Sequence, residues 1–239
     1  MPLSIDDVLA KSSNRGTTLL SLRAGEDAQQ ALLRNLGLFD RVPFELSESA
    51  APILPGEWQD ITTATVSYGH GISVTPLALA TAIGALLNGG EYVAPTLQRI
   101  EPGTYVHSRR AVSPQTSARL VDMMRYVVTN GTGRNASVDG YEVMGKTGSA
   151  DKLVNGEYAL NTLVTSFAGA FPHNDPTYLV FVVYDEPKAI EGTYGYATAG
   201  WNAARTSGAV IQRIAPMLGV KRVDPNAKAT ALASAGGAQ

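Results

Sequence analysis

Residues 140–152 read GYEVMGKTGSADK, and the way this stretch folds decides what the chain is. One reading is phosphate binding. Gly140, Gly145, Lys146 and Thr147 satisfy G-x-x-x-x-G-K-[ST], and the apolar run 179–184 ahead of Asp185-Glu186 imitates a strand ending in a metal-binding acid. That chemistry needs a glycine loop that leaves a strand and opens a helix, so that backbone N–H groups face the phosphates. Here residues 134–139 are polar and turn-like, the residues between the glycines are themselves strand formers, and GSADKLVNG after Thr147 starts no helix. Pro187, directly after the two acids, suits a loop. The competing reading makes 141–148 a strand that carries Lys146, Thr147 and Gly148.

A second match within the same stretch is Ser149-Ala-Asp-Lys152, which is the S-x-x-K of the chain. Serine–lysine catalysis places the lysine one helical turn after the serine, pointing into the same pocket. Just past a strand, positions i and i+3 lie on opposite faces, so this match carries no such chemistry.

Outward from this stretch, the downstream texture is that of strands. Residues 163–171 and the nearly continuous apolar run 178–184 read as strands, the latter a buried one, with Asn155-Gly156 as a hairpin tip. A closing helix is expected with Trp201, Ala204, Gly208, Ile211, Ala215 and Leu218 on one face. The Ala/Gly/Ser-rich residues beyond Arg222 read as a disordered tail, which sets a domain of 1–221 and a tail of 222–239.

Upstream the pattern is helical. Ser4 with Asp7 reads as a capping box, with Ile5, Val8 and Leu9 on one face and an end near Lys11; Ser12-Ser13-Asn14 falls in the connection that follows. Gly25-Glu26-Asp27 opens a helix whose stripe is Ala28, Leu32 and Leu36, with Gly37 as the stop. Residues 41–60 read as loop. Thr75-Pro76 starts a helix over 77–87 that halts at Asn88-Gly89-Gly90. Ser113-Pro114 starts another, with Leu120, Val121, Met124 and Val128 inside and Asn130-Gly131 as the stop. Helices first, then a short antiparallel meander with a closing helix, is an α+β pattern without βαβ alternation.

The 239 residues, 44% hydrophobic and 17% charged, allow one sizeable core and exclude a disordered chain. A net charge of −2 gives no argument for nucleic acid or an anionic membrane surface. The absence of cysteine removes disulfides, thiolate metal sites and cysteine nucleophiles. His70, His107 and His173 lack metal-ligand spacing, and no cofactor or metal is expected. Met1-Pro2 shows neither a charged start nor an apolar segment of the signal-peptide kind, and the apolar stretch 77–87 is too short to span a bilayer.

Lys146-Thr147-Gly148 on a strand and Ser12-Ser13-Asn14 after a helix are also the K-T-G and S-x-N elements of penicillin-recognising serine enzymes. Their flanks extend the likeness: LSIDDVLAKSSNRG (3–16), SYGHGISVTPLALA (67–80), GKTGSADK (145–152) and DEPK (185–188). The sequence resembles the class B penicillin-binding proteins, most of all the division-type septal transpeptidases, from about Leu3 to Val220. The resemblance implies a partial penicillin-binding-protein transpeptidase (serine β-lactamase-like) fold. It implies D,D-transpeptidation of peptidoglycan stem peptides ending in D-Ala-D-Ala, acylation by β-lactams, division proteins as partners, and a place on the periplasmic face of the bacterial inner membrane through an N-terminal anchor. By the same resemblance Ser12 supplies a hydroxyl for proton relay, Asn14 a hydrogen bond to the substrate's peptide carbonyl, and Lys146 fixed positive charge for the substrate carboxylate and for the Ser12 hydroxyl. Thr147 and Ser149 offer hydroxyls to the substrate carboxylate, the Ser149 N–H serves as an oxyanion donor, and Gly148 lets the ligand approach the strand edge. Tyr68, Gly69, His70 and Gly71 match the family as a structural loop.

The family's S-x-x-K nucleophile is expected upstream of Ser12, outside this chain, so the chain alone is expected to be inactive. Ser149 stands where threonine is more usual and keeps the hydroxyl. A nucleotide hydrolase and a non-catalytic binding module of the same fold are the rival readings.

Overall fold

The computed structural model describes the backbone of residues 2–154 and 157–223, and the side chains of all of these but 153–161. The expected hairpin tip at Asn155-Gly156 and most of the expected tail, 224–239, lie outside the described residues. The elements run α1 (Ile5–Ala10), α2 (Asn14–Ala24), α3 (Glu26–Asn35), α4 (Asp60–Val66), α5 (Pro76–Leu87), β1 (Glu91–Val93), β2 (Ser108–Arg110), α6 (Pro114–Asn130), β3 (Met144–Val154), β4 (Glu157–Phe171), β5 (Tyr178–Asp185) and α7 (Ala203–Met217).

The helix starts follow capping chemistry. The hydroxyls of Ser4, Ser13, Thr75 and Ser113 each accept a hydrogen bond from a backbone N–H three residues on, and proline occupies the first turn of α5 and α6. Two helices were not legible. Asn14 is the first residue of α2 rather than part of a connection, and α2 buries none of its residues, so no apolar stripe marks it. The β-branched residues Ile61, Thr62, Thr63, Thr65 and Val66 disguise α4. In α3 the inward face is Leu33 with the C-cap Leu36, whereas Leu32 is exposed.

The strands β3, β4 and β5 form an antiparallel sheet in that order, with Lys146 opposite Ala168, Thr147 opposite Phe167 and Gly148 opposite Ser166. The first strand starts later than expected, at Met144, and continues through Ser149 to Val154. Alternation splits its side chains between two cores. On one face Phe167 and Phe171, both fully buried, pack with Val128, Val143, Ala204 and Ile211 against α7. Each such ring contributes about 1.5–3 kcal/mol by leaving water. On the other face Met144 and Ala170 meet Leu87, Met124, Leu9 and Leu179, which closes the sheet against α1, α5 and α6. A third cluster, built on Leu36, Leu38, Val42, Ala78, Ala82 and Tyr92, holds the helical part together. Within α7 the expected face is buried at Ala204, Gly208, Ile211 and Ala215, while Leu218 is exposed and Trp201 precedes the helix.

Gly145 is where sheet packing admits no side chain. A Cβ there would overlap the Phe167 ring and come within 2.5 Å of the Ala168 carbonyl oxygen. We expect Gly145→Ala to destabilise the domain by about 1–3 kcal/mol, through backbone displacement at the strand that carries Lys146. An unchanged midpoint in urea titration would show that β3 and β4 can part without cost.

Candidate active site

Two chain segments that are distant in sequence meet at the free edge of β3. The first is the elbow between α1 and α2. Gly16 lets the two helices touch, since a Cβ there would lie 2.5 Å from a Val8 methyl. Ser12, at the bend, has φ 54, a left-handed conformation uncommon for serine. α6 and the turn after it hold α1 in place: Thr132 N–H, just past α6, donates to the Ala10 carbonyl at 3.0 Å, and the guanidinium of Arg119, near the start of α6, spans both Asp6 carboxylate oxygens at 2.6 and 2.7 Å.

The second segment is β3. Lys146 and Gly148 share the face turned to α1, and Thr147 and Ser149 the face turned to α7, as alternation requires. The Lys146 ammonium donates to Ser12 Oγ at 2.7 Å, across 134 positions of sequence, and to the Thr147 carbonyl at 2.7 Å, with Thr147 Oγ1 at 3.5 Å. No acid pairs with it among the described residues. It is largely withdrawn from water, and this desolvation pushes its pKa down to about 8. Asn14 lines the same cavities as Ser12 but is not among the hydrogen-bond partners of Lys146.

Two cavities flank this edge. One, of about 770 Å³, has an apolar floor of Val8, Leu9, Leu79, Leu86 and Met123 under Ser12 and Lys146. Tyr68 and His70, read from sequence as a structural loop, stand on its wall with their rings edge to face at 5.2 Å. The other, of about 720 Å³, is lined mainly by polar residues and reaches from Ser12, Thr147 and Ser149 to Thr132, Arg134 and Trp201. Thr132 and Arg134 were not anticipated. They follow the α6 stop at Asn130-Gly131, where sequence alone indicates only a turn.

The rival motifs dissolve in this geometry. Lys146 and Thr147 lie within a strand with no helix after them, so the glycines of 140–147 form no phosphate loop. Ser149 Oγ accepts from the Ala199 N–H at 3.0 Å, whereas Lys152 donates to Asp185 and Glu186, both at 2.9 Å, on the far side of the sheet.

Comparison with known proteins agrees with the geometry. Residues 1–206 match the model of the penicillin binding protein transpeptidase domain. The chain belongs to that family. Its likeness is to the class B branch. It is 42% identical over 229 residues to a probable peptidoglycan D,D-transpeptidase FtsI of Caulobacter vibrioides, covering 92% of this chain and 39% of the relative. It is 34% identical to stage V sporulation protein D of Bacillus subtilis, covering 90% of this chain and 34% of the relative. The chain thus spans well under half of the length of these relatives. Among solved structures, the transpeptidase domain of Burkholderia pseudomallei penicillin-binding protein 3 superposes with a TM-score of 0.85 at 30% identity, over 93% of this chain and 67% of that one. Penicillin-binding protein 3 of Mycobacterium tuberculosis complexed with ampicillin gives 0.83 at 29% identity, over 94% and 53%. The α+β fold is therefore the penicillin-binding transpeptidase fold.

Proposed function

We propose that the protein carrying this chain is a peptidoglycan D,D-transpeptidase that cross-links stem peptides through a serine acyl-enzyme. The observation that carries the reading is the 2.7 Å contact of Lys146 with Ser12, a meeting that no local sequence feature would cause. In the reaction, the oxygen of a serine supplied by an S-x-x-K helix attacks the penultimate D-Ala carbonyl. The C–N bond breaks, and a proton passes to the departing D-Ala amine. An amine of a second stem then displaces the serine. Ser12, polarised by Lys146, is suited to relaying the proton, and such positioned transfer is worth about 100- to 10,000-fold. Asn14 can hydrogen-bond the substrate's peptide carbonyl. The Ser149 N–H is the oxyanion donor from this chain, and Thr147 and Ser149 offer hydroxyls to the terminal carboxylate. Gly148 keeps the strand edge open for a peptide added as a further strand. The apolar floor and polar rim of the 770 Å³ cavity suit an amphipathic helix bearing the nucleophile.

In this reading β-lactams acylate the same serine, division proteins are the partners, and the enzyme works at the periplasmic face of the inner membrane. No described helix is long and apolar enough to cross a membrane.

Labelling with a fluorescent penicillin tests the proposal. We expect a covalent adduct on the intact protein and none on the 239-residue chain, whose S-x-x-K lies along a strand. An adduct on the isolated chain, located by intact mass and peptide mapping, would misplace the nucleophile. An intact protein that binds penicillin only reversibly would be a binding module of this fold.

A further inference from the structure

We infer that Arg134, rather than Lys146, is the cation that ligates the substrate's terminal carboxylate, in a subsite completed by the hydroxyls of Thr132, Thr147 and Ser149. The inference rests on the transpeptidase reading and names how that site recognises its peptide.

The two cations sit on opposite sides of β3. Lys146 lines the cavity with the apolar floor; Arg134 lines the polar one, and only Ser12, Asn14, Thr147 and Ser149 border both. Among the described residues, no acid lines the polar cavity. The exposed Arg134 side chain has no hydrogen-bond or ion-pair partner among the described residues, so a ligand anion meets no internal competitor there. The ammonium of Lys146, by contrast, already directs its protons at Ser12 Oγ, the Thr147 carbonyl and, more weakly, Thr147 Oγ1. Its two strong hydrogen bonds are made within the protein, which leaves for a carboxylate oxygen only its weakest donor, 3.5 Å from Thr147 Oγ1.

Counting hydroxyl protons leads to the same place. Ser149 Oγ accepts from the Ala199 N–H, which leaves its own proton free. Thr132 Oγ1 and Thr147 Oγ1 are 2.6 Å apart, so one of them donates to the other. Whichever donates, a single proton of the pair remains for a ligand. Two free O–H donors and a planar guanidinium complement the acceptors of one carboxylate, and a guanidinium reads such a group in bidentate fashion.

The Arg134 backbone is held in place. It opens a short 3-10 turn, Arg134–Ala136, in which Asn135 Nδ2 donates to the Gly200 carbonyl at 2.8 Å. Ala136 is fully buried against α7, where a Cβ on Gly208 would lie 3.3 Å from it. The side chain is presented from a fixed base.

The test compares an acyl-D-Ala-D-Ala peptide with its C-terminal carboxamide, using the intact protein, its Arg134→Gln and Arg134→Lys variants, and Lys146→Met. Arg134→Gln is expected to lower kcat/KM for the carboxylate by about 10- to 100-fold, mainly through KM, and to leave the carboxamide unchanged. The preference for carboxylate should vanish, and Arg134→Lys should restore part of it. An equal loss on both peptides, no loss on either, or a preference abolished by Lys146→Met and untouched by Arg134→Gln overturns the inference while the enzyme still turns over. A wild-type protein that neither releases D-Ala nor captures penicillin removes the transpeptidase reading itself, and this inference with it.

Discussion

Replacing Lys146 with methionine is expected to slow penicillin capture by the intact protein by about 100- to 10,000-fold while leaving the domain at least as stable at neutral pH. The two effects share one cause. Folding takes the ammonium out of water without giving it an acid, which moves its pKa from 10.5 to about 8. A lysine with a lowered pKa weakens the fold wherever it is charged. Between pH 8 and 10.5 the unfolded chain binds more protons than the folded one, so wild-type stability should climb as pH rises through that window. Below pH 8 the full penalty is present, of the order of 1–3 kcal/mol after allowing for the partial exposure of the side chain and its hydrogen bonds to Ser12 and Thr147. Methionine removes both the penalty and the climb. Catalysis runs the other way: the charged form polarises Ser12, so capture by the wild type should fall off above pH 8. Urea titrations at pH 7 and pH 10, beside labelling rates across the same range, measure both. A variant less stable than wild type at pH 7, with the same pH slope, would mean that burial of the ammonium costs the fold nothing.

The second large effect concerns assembly. In the sheet order β3-β4-β5, the outer edge of β5 pairs with nothing among the described residues. That strand is apolar from Tyr178 to Val183, and Val183 and Tyr184 are exposed at 40% and 37%. An open apolar edge is a template for another chain. We expect the 239-residue chain on its own to self-associate at micromolar concentration. Val183→Lys should shift it toward monomer at little cost, because the side chain already meets water. Light scattering on size-exclusion fractions decides the point. A wild-type chain that elutes as a sharp monomer and melts cooperatively would show that β5 needs no neighbour.

The strands and most helix starts were legible because apolar period and capping chemistry act locally. Thr75-Pro76 and Ser113-Pro114 announce helices through the same hydroxyl-to-N–H bonds that the structure contains. What escaped was set by neighbours. Only tertiary contact turns Leu33 inward in place of Leu32, and the three-residue strands β1 and β2 are too short to display a period. The candidate site divides along the same line. Ser12, Lys146 and Ser149 stood out through short motifs, yet the motifs carry no distance, and the α6 stop at Gly131 concealed that the next turn brings Thr132 and Arg134 to the rim. Tyr68 and His70 reached the cavity wall because α4, which they follow, folds back beside α2, which no local pattern encodes.

The 134-residue span between Ser12 and Lys146 also governs how a ligand is felt. Closing a loop of that length costs about 4 kcal/mol of chain entropy before any contact repays it, so neither end retains half of the site when the other is lost. A molecule that touches both Ser12 and the edge of β3 clips the first helix of the chain to its sheet. Its binding energy therefore opposes unfolding of the whole domain, and the domain should melt at a higher temperature with such a molecule bound than without it.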